Sequence, residues 1–247
     1  MKKVVEQLGA YAQKKHKDIS LVFEDMLDFF IDSFSLDRLL QYKMDYAAIF
    51  EDRKKENEVL SNIMYRWIAL SEEEVEKEGA FDFFGLMYEE VVKGKFKSSS
   101  MGQFFTPMSL CLVMADVLDV DGCKIMDDAC GSGRTLLAHF AKSDKSKFNY
   151  YIAADLDPIS VKMCALNMMI NGMIGEVKHM DSLTGETFMI YKINEIKYPI
   201  PNPACGIRII HPVEINNANE IDSPPLVKLT PQFSKQKPKE KGQLTLF

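Results

Sequence analysis

The residues best placed to do chemistry surround a short turn of small side chains. An apolar segment over 123–126 runs into Asp127, then into a turn that contains Gly131 and Gly133, and then into an apolar helical pattern over 134–140. Glycine lets a backbone turn sharply and approach a ligand closely. Open α/β sheets bind ligands at the carboxyl ends of their strands. The spacing therefore predicts a ligand site at the end of this strand.

A second acidic residue indicates the kind of ligand. An apolar segment over 150–154 ends in Asp155, one strand–helix unit further along, where a carboxylate can accept hydrogen bonds from two ribose hydroxyls. A dinucleotide would want a third glycine to seat its pyrophosphate, but this turn continues with Arg134 and Thr135. The acidic entrance at Asp127 suits a cationic ligand without phosphate. These residues predict S-adenosylmethionine as the cofactor.

Several segments resemble the motifs of the N6-adenine DNA methyltransferases, in particular the modification subunits of type I restriction systems. They are GQFFTP (102–107), DDACGSG (127–133), AADLDP (153–158) with Asn167, and the segment that begins at Met180 and Asp181. The resemblance covers roughly the central hundred residues. Two positions depart from the family's first motif, because Asp128 replaces a proline and Arg134 replaces the last glycine. Neither change removes the glycines of the turn.

The resemblance implies eight cofactor-binding residues. They are Phe105, Thr106 and Pro107 closing over the cofactor, Asp127, Gly131 and Gly133 around its methionine part, Asp155 at the ribose, and Asp181 near the adenine amine. No metal site is expected, because the five cysteines and four histidines lack the spacing of metal ligands.

The catalytic assignment rests on a weaker match. The amine of adenine is a poor nucleophile, so the family accepts hydrogen bonds from it with Asn-Pro-Pro and stacks the flipped base on a following Tyr or Phe. This chain has Asn202 and Pro203, followed by Ala204 and Cys205. Asn202 and Pro203 are the catalytic candidates, while an Asn-Pro pair in a proline-rich stretch is otherwise an ordinary turn.

The chain divides into three regions by its hydrophobic pattern. Apolar residues at three-and-four spacing predict a helical N-terminal region over 1–95, with Ser20 and Ser35 as helix N-caps. Alternating strands and helices over 96–204 predict a truncated Rossmann-like methyltransferase domain of the α/β class. Residues 205–247 are rich in Pro, Asn, Lys and Gln, which predicts an extended tail.

Composition and charge limit the partners. No apolar run is long enough for a membrane span and no signal peptide is evident, so a cytoplasmic protein of a bacterial, phage or plasmid type is expected. The net charge of −6 disfavours tight DNA binding by the chain alone. The basic stretch over 93–97 is a candidate flap that contacts phosphate.

The last residues carry a second resemblance. Gln243, Leu244, Leu246 and Phe247 resemble the short motif by which bacterial DNA-associated proteins bind the replication sliding clamp, and a charged segment with prolines precedes them. The alternative is a C-terminus that packs on its own domain.

Three functions remain open on the sequence. The first is an S-adenosylmethionine-dependent, adenine-specific DNA methyltransferase that acts on double-stranded DNA, with a separate subunit for target recognition. The second is a catalytically inactive cofactor-binding module tethered to the sliding clamp as a regulatory or architectural partner. The third is a small-molecule or protein methyltransferase, which the GQFFTP segment over 102–107 disfavours.

Overall fold

In the computed structural model, residues 1–93, 105–195 and 206–211 are described. Their helices are α1 (Lys2–Lys15), α2 (Ile19–Ser33), α3 (Leu36–Gln41), α4 (Tyr46–Glu56), α5 (Glu58–Glu78), α6 (Phe83–Lys93), α7 (Met108–Leu118), α8 (Arg134–Lys142) and α9 (Pro158–Ile170). Their strands are β1 (Lys124–Asp127), β2 (Tyr150–Asp155), β3 (Gly175–Met180), β4 (Thr187–Ile193) and β5 (Ile207–Ile210). None of the helices in these ranges is long and apolar enough to cross a membrane.

The first six helices bury an aromatic core. Trp67 of α5 is fully buried, stacks on Phe30 with ring centroids 5.2 Å apart, and lies 5.1 Å from the ring of Phe84. These aromatics are core residues. Ser35 caps α3 as predicted, but the N-cap of α2 is Asp18, whose carboxylate accepts a hydrogen bond from the backbone N–H of Ser20. The carboxylate two residues earlier therefore takes the capping role predicted for that serine.

The strands form a sheet in the order β1-β2-β3-β4-β5. β1, β2 and β3 are parallel, whereas β4 and β5 run antiparallel to their neighbours. The architecture confirms the predicted class, a helical N-terminal region followed by a truncated Rossmann-like α/β unit. Sequence reasoning missed β4, and β5 continues the sheet to Ile210, beyond the predicted boundary at 204.

The two faces of the sheet have different surroundings. Ile125, Tyr151, Val177 and Tyr191, one on each of β1 to β4, share the face that α8 and α9 cover, and all four are buried. On the other face, the side chain of Met126 in β1 is 55% exposed.

The helical region and the sheet share one core. A single cluster of buried apolar residues includes Phe30 and Trp67 from the helices as well as Tyr151 and Val177 from the strands. Asp82, which precedes α6, is 2% exposed and accepts hydrogen bonds from groups in the turn after β1 and in α9. The N-terminal helices are therefore a structural support for that turn.

Candidate functional site

The turn after β1 is fixed by its own backbone and by Asp127. The carboxylate of Asp127 accepts hydrogen bonds from the backbone N–H of Ala129 and from the hydroxyl of Thr135. Gly131 and Gly133 have φ values of 53° and 87°, a region that favours glycine. A Cβ on Gly133 would also lie 2.8 Å from the Sγ atom of Cys164. Both glycines are therefore required by conformation, as their place in the turn predicted.

Asp155 joins the two strand ends. One of its carboxylate oxygens accepts a hydrogen bond from the backbone N–H of Gly131 at 2.9 Å, and the other accepts one from Asp157 at 2.9 Å. The backbone N–H of Cys130 also donates to the carbonyl of Ala154 at 2.9 Å. Each carboxylate oxygen has a further lone pair, so Asp155 can still accept hydrogen bonds from a ligand's hydroxyls.

The segment over 105–107 lies against the turn. A Cβ on Gly131 would come within 2.9 Å of the ring of Phe105, so the aromatic ring and the glycine are in close contact. The ring of Phe105 also lies 5.7 Å from that of Tyr88 in α6. Pro107 occupies the N-cap position of α7, although proline is more common at the first helical position, one residue later.

Arg134 links this segment to the helical region. Its Nε atom donates to Asp82 at 2.7 Å, and its Nη1 atom donates to Glu89 and to the carbonyl of Thr106, both at 3.2 Å. Burial alone would lower the pKa of Arg134, but the carboxylates of Asp82 and Glu89 outweigh it and the pKa is raised. The guanidinium is therefore a permanent cation in the wall of the site.

These groups line a cleft with a volume of about 190 Å³. Its lining includes five of the predicted residues, Phe105, Thr106, Asp127, Gly131 and Asp155. It also includes five residues that sequence reasoning did not assign, Ala129, Cys130, Arg134, Thr135 and Ser160. Ligand sites usually enclose roughly 300–1,000 Å³. The cleft formed by the described residues is smaller than this.

Two predicted cofactor residues have local structural roles. Pro107 begins α7 and is not among the residues that line the cleft. The carboxylate of Asp181 accepts hydrogen bonds from the backbone N–H groups of Leu183 and Thr184, which lower its pKa. The turn that it forms is close to the site, because the hydroxyl of Ser182 donates to the carbonyl of Asp128 at 2.8 Å.

The catalytic candidates Asn202 and Pro203 lie outside the described residues, as do the flap candidate over 94–97 and the tail residues Gln243, Leu244, Leu246 and Phe247. The ends of the 195–205 connection are described. The backbone of Asn194 donates to the carbonyl of Gly206 at 3.0 Å, next to the pairing of Ile193 with Gly175. Gly175 is the first residue of β3. Both ends of the 195–205 connection therefore lie at the amino ends of the parallel strands, whereas Asp127 and Asp155 lie at the carboxyl ends.

The thiols near the site are structural. Cys130 and Cys164 are buried, and the pKa of Cys130 is raised well above its ordinary value by a hydrogen bond with Cys164 and by burial. A thiol held protonated is a poor nucleophile and a poor metal ligand. Among residues 1–93, 105–195 and 206–211, no group of three or more His, Cys, Asp or Glu side chains is placed to hold a metal ion.

Comparison with known proteins gives consistent relatives. The sequence model of the N-6 DNA methylase family matches residues 79–239. The type I restriction enzyme MjaIX methylase subunit of Methanocaldococcus jannaschii is 33% identical over 130 residues, which are 49% of this chain and 22% of that protein. The chain therefore spans about a fifth of the length of this relative.

One solved structure is also similar. It is the type I restriction-modification system methyltransferase subunit from Streptococcus thermophilus. The sequences are 21% identical and the TM-score is 0.37, over 74% of this chain and 42% of that one.

Proposed function

Because the chain belongs to the N-6 DNA methylase family, we propose that it is the S-adenosylmethionine-binding part of an adenine-specific DNA N6-methyltransferase in the cytoplasm. The observation that supports the proposal is the hydrogen bond from the backbone N–H of Gly131 to Asp155, next to the ring of Phe105. It provides a ribose acceptor, a close backbone approach and an aromatic cover within one cleft. Bound S-adenosylmethionine would supply an electrophilic methyl group there.

The residues present fit this cofactor. Asp155 can accept hydrogen bonds from the ribose hydroxyls, and Asp127 provides negative charge near the methionine ammonium group. Isothermal titration calorimetry should detect S-adenosylmethionine, and Asp155→Ala should weaken its binding by about 1–3 kcal/mol. The proposal fails if the folded protein does not bind the cofactor at millimolar concentration.

The open edge of β1 supports the need for a second polypeptide. Doubly wound sheets bind ligands between two strands, at the point where the strand order reverses. The cleft lies at the carboxyl end of β1, but among the described residues β1 is an edge strand, with β2 on one side only. The second wall of the crevice is therefore expected from a further strand parallel to β1.

Helix α7 provides the apolar surface for such a partner. It contacts α8 through Cys111 and Ala115, and Asp116 is its single charged residue. Five of its apolar side chains are between 45% and 79% exposed, namely Leu110, Val113, Met114, Val117 and Leu118. A helix that is apolar on all sides is normally buried, and exposed apolar patches mark protein interaction sites.

We propose that a second polypeptide adds a strand to β1, covers α7 and supplies the groups that hold the target adenine. The greater length of the methanococcal relative is consistent with this, since the matched segment is 22% of that chain.

Transfer of labelled methyl groups to duplex DNA tests the activity and the partner together. The chain alone should transfer slowly or not at all, and a specificity subunit or other candidate partner should restore transfer. Leu118→Asp should abolish this restoration, whereas Leu21→Asp, at a side chain on α2 with the same 55% exposure, should not. Rapid transfer by the chain alone that is lost in Asn202→Ala would instead make it a complete enzyme.

The second candidate is an inactive cofactor-binding module, which the open β1 edge favours if no partner restores methyl transfer.

For either function we propose that Gln243, Leu244, Leu246 and Phe247 bind a bacterial sliding clamp. Burial of Leu246 and Phe247 would contribute about 1.5–3 kcal/mol each, less the cost of ordering the peptide. A peptide over 239–247 should bind the clamp in fluorescence polarisation. Equal binding by the same peptide with Leu246→Ala and Phe247→Ala would refute the motif.

A further inference from the structure

Arg134 is an unusual residue for the position that it occupies. It is the first residue of α8, after Gly133 at the N-cap, where the helix dipole already places partial positive charge. It is only 6% exposed. Burial and the helix dipole both disfavour a cation at this position unless nearby anions compensate its charge. The contacts of Arg134 must therefore provide that compensation.

The contacts of Arg134 account for only part of its guanidinium group. Nε donates to Asp82, and Nη1 donates to Glu89 and to the carbonyl of Thr106. The Nη2 atom is buried and has no hydrogen-bond partner among the residues that the structure describes. Arginine has five donors in a rigid fork, and a buried donor without an acceptor is costly. The Nη2 edge of the fork is therefore left for an acceptor outside the described residues.

Arg134 lines the same cleft as Asp127. The ring of Phe105, which also lines the cleft, lies 5.6 Å from the guanidinium carbon. One cleft is therefore lined by both a fixed cation and a carboxylate, which is the charge pattern that recognises a zwitterionic amino acid group.

We propose that Arg134 and Asp127 form a binding site for the amino acid end of S-adenosylmethionine, in which Nη2 of Arg134 donates to the ligand carboxylate and Asp127 accepts from its ammonium group. The inference rests on the proposed function. Glycine at this position could provide no such donor, so the substitution of Arg134 for the glycine of related motifs would give this chain its own way of selecting the intact cofactor. Arg134 is then a ligand-binding residue and not only a link between Asp82 and Thr106.

Three ligands separate these roles in calorimetry with the full chain. S-adenosylmethionine carries both charged groups, decarboxylated S-adenosylmethionine lacks only the carboxylate, and 5′-methylthioadenosine lacks the whole amino acid end. The wild-type protein should bind the first about ten- to a hundredfold more tightly than the second. In Arg134→Met this preference should disappear, while affinity for 5′-methylthioadenosine changes by less than about threefold.

Matched variants complete the test. Arg134→Lys retains the charge but not the fork, and should recover part of the preference. Asp127→Asn should weaken both ligands that carry the ammonium group and spare 5′-methylthioadenosine. The proposal is overturned if Arg134→Met weakens all three ligands equally, since Arg134 would then only position the 105–107 segment. It is also overturned if wild-type protein binds the first two ligands equally well. Absence of binding by any ligand to wild-type protein would instead refute the proposed cofactor.

Discussion

Replacement of Asp82 by alanine should strongly destabilise the protein. The carboxylate is buried and accepts hydrogen bonds from the Ser132 hydroxyl at 2.9 Å, from Nε of Arg134 at 2.7 Å, from the Asn167 amide at 2.7 Å and from the backbone N–H of Gly85 at 2.9 Å. Without it, Glu89, 3.2 Å away, is the one anionic partner that Arg134 retains within the described part of the chain. Removal of one partner of a buried ion pair costs about 3–5 kcal/mol.

Urea and thermal denaturation followed by circular dichroism measure this change. For a protein of this size, a loss of 3–5 kcal/mol lowers the melting temperature by about 6–20 °C. Glu73→Ala is the matched control, because its partner Lys77 is half exposed and the pair is solvated, so no measurable shift is expected. Loss of less than about 1 kcal/mol in Asp82→Ala would refute the structural role assigned to this carboxylate.

A double-mutant cycle isolates the ion pair. Replacement of a buried pair by apolar side chains is often nearly neutral, whereas removal of one partner is not. Asp82→Ala combined with Arg134→Met should therefore lose less stability than the sum of the two single changes. Additive losses would show that the hydrogen bonds to Ser132 and Asn167, and not the charge, account for the effect.

Further outcomes follow from individual side chains. Gly133→Ala should destabilise the protein by at least about 1 kcal/mol, because a φ of 87° strains any other residue, and a neutral result in urea denaturation would contradict the turn. The pKa of the Glu176 carboxyl is lowered in the folded state because Lys192 and Lys178 outweigh its burial. Its contribution to stability is therefore present above the unfolded pKa of about 4.3 and is lost as pH falls through the folded value. Glu176→Gln should accordingly flatten the decline in stability below about pH 5, and an unchanged profile would refute the assignment. Iodoacetamide followed by peptide mass spectrometry should label the exposed Cys123 well before Cys130, and equal rates would contradict the burial.

The central part of the fold was predictable because its signals are local. Glycines at fixed positions after an apolar strand specify a turn with positive φ, and Gly131 and Gly133 have it. Asp155 followed by Asp157 and Pro158 specifies a strand end and a helix start, since Pro is favoured in the first turn and Asp157 caps α9. Asp127, Gly131 and Asp155, which these signals predicted as cofactor residues, all line the cleft.

The remainder of the fold depended on contacts distant in sequence. β4 lies over TFMIYKI, shortly after the turn that contains Gly185, and its place in the sheet depends on its antiparallel pairing with β3. β5 consists of four residues and follows a proline-rich segment, which predicts a tail when read locally. Asp82 lies fifty residues before Ser132, so its role depends on packing between α6 and α9 that no local pattern reveals.

The link through Asp82 bears on which residues form the cofactor-binding unit. The sequence pattern places a boundary at residue 95, but the match to the family begins at residue 79 and so includes Asp82 and α6. Asp82 and Glu89 hold Arg134 on one side, and Arg134 in turn holds the carbonyl of Thr106 on the other. A change in the position of α6 therefore moves both the turn and the segment that covers the cleft. For this reason, substitutions in the α6 segment that displace Arg134 should reduce the preference for S-adenosylmethionine over its decarboxylated form even where they do not touch the cofactor, whereas exposed substitutions on α1 should not.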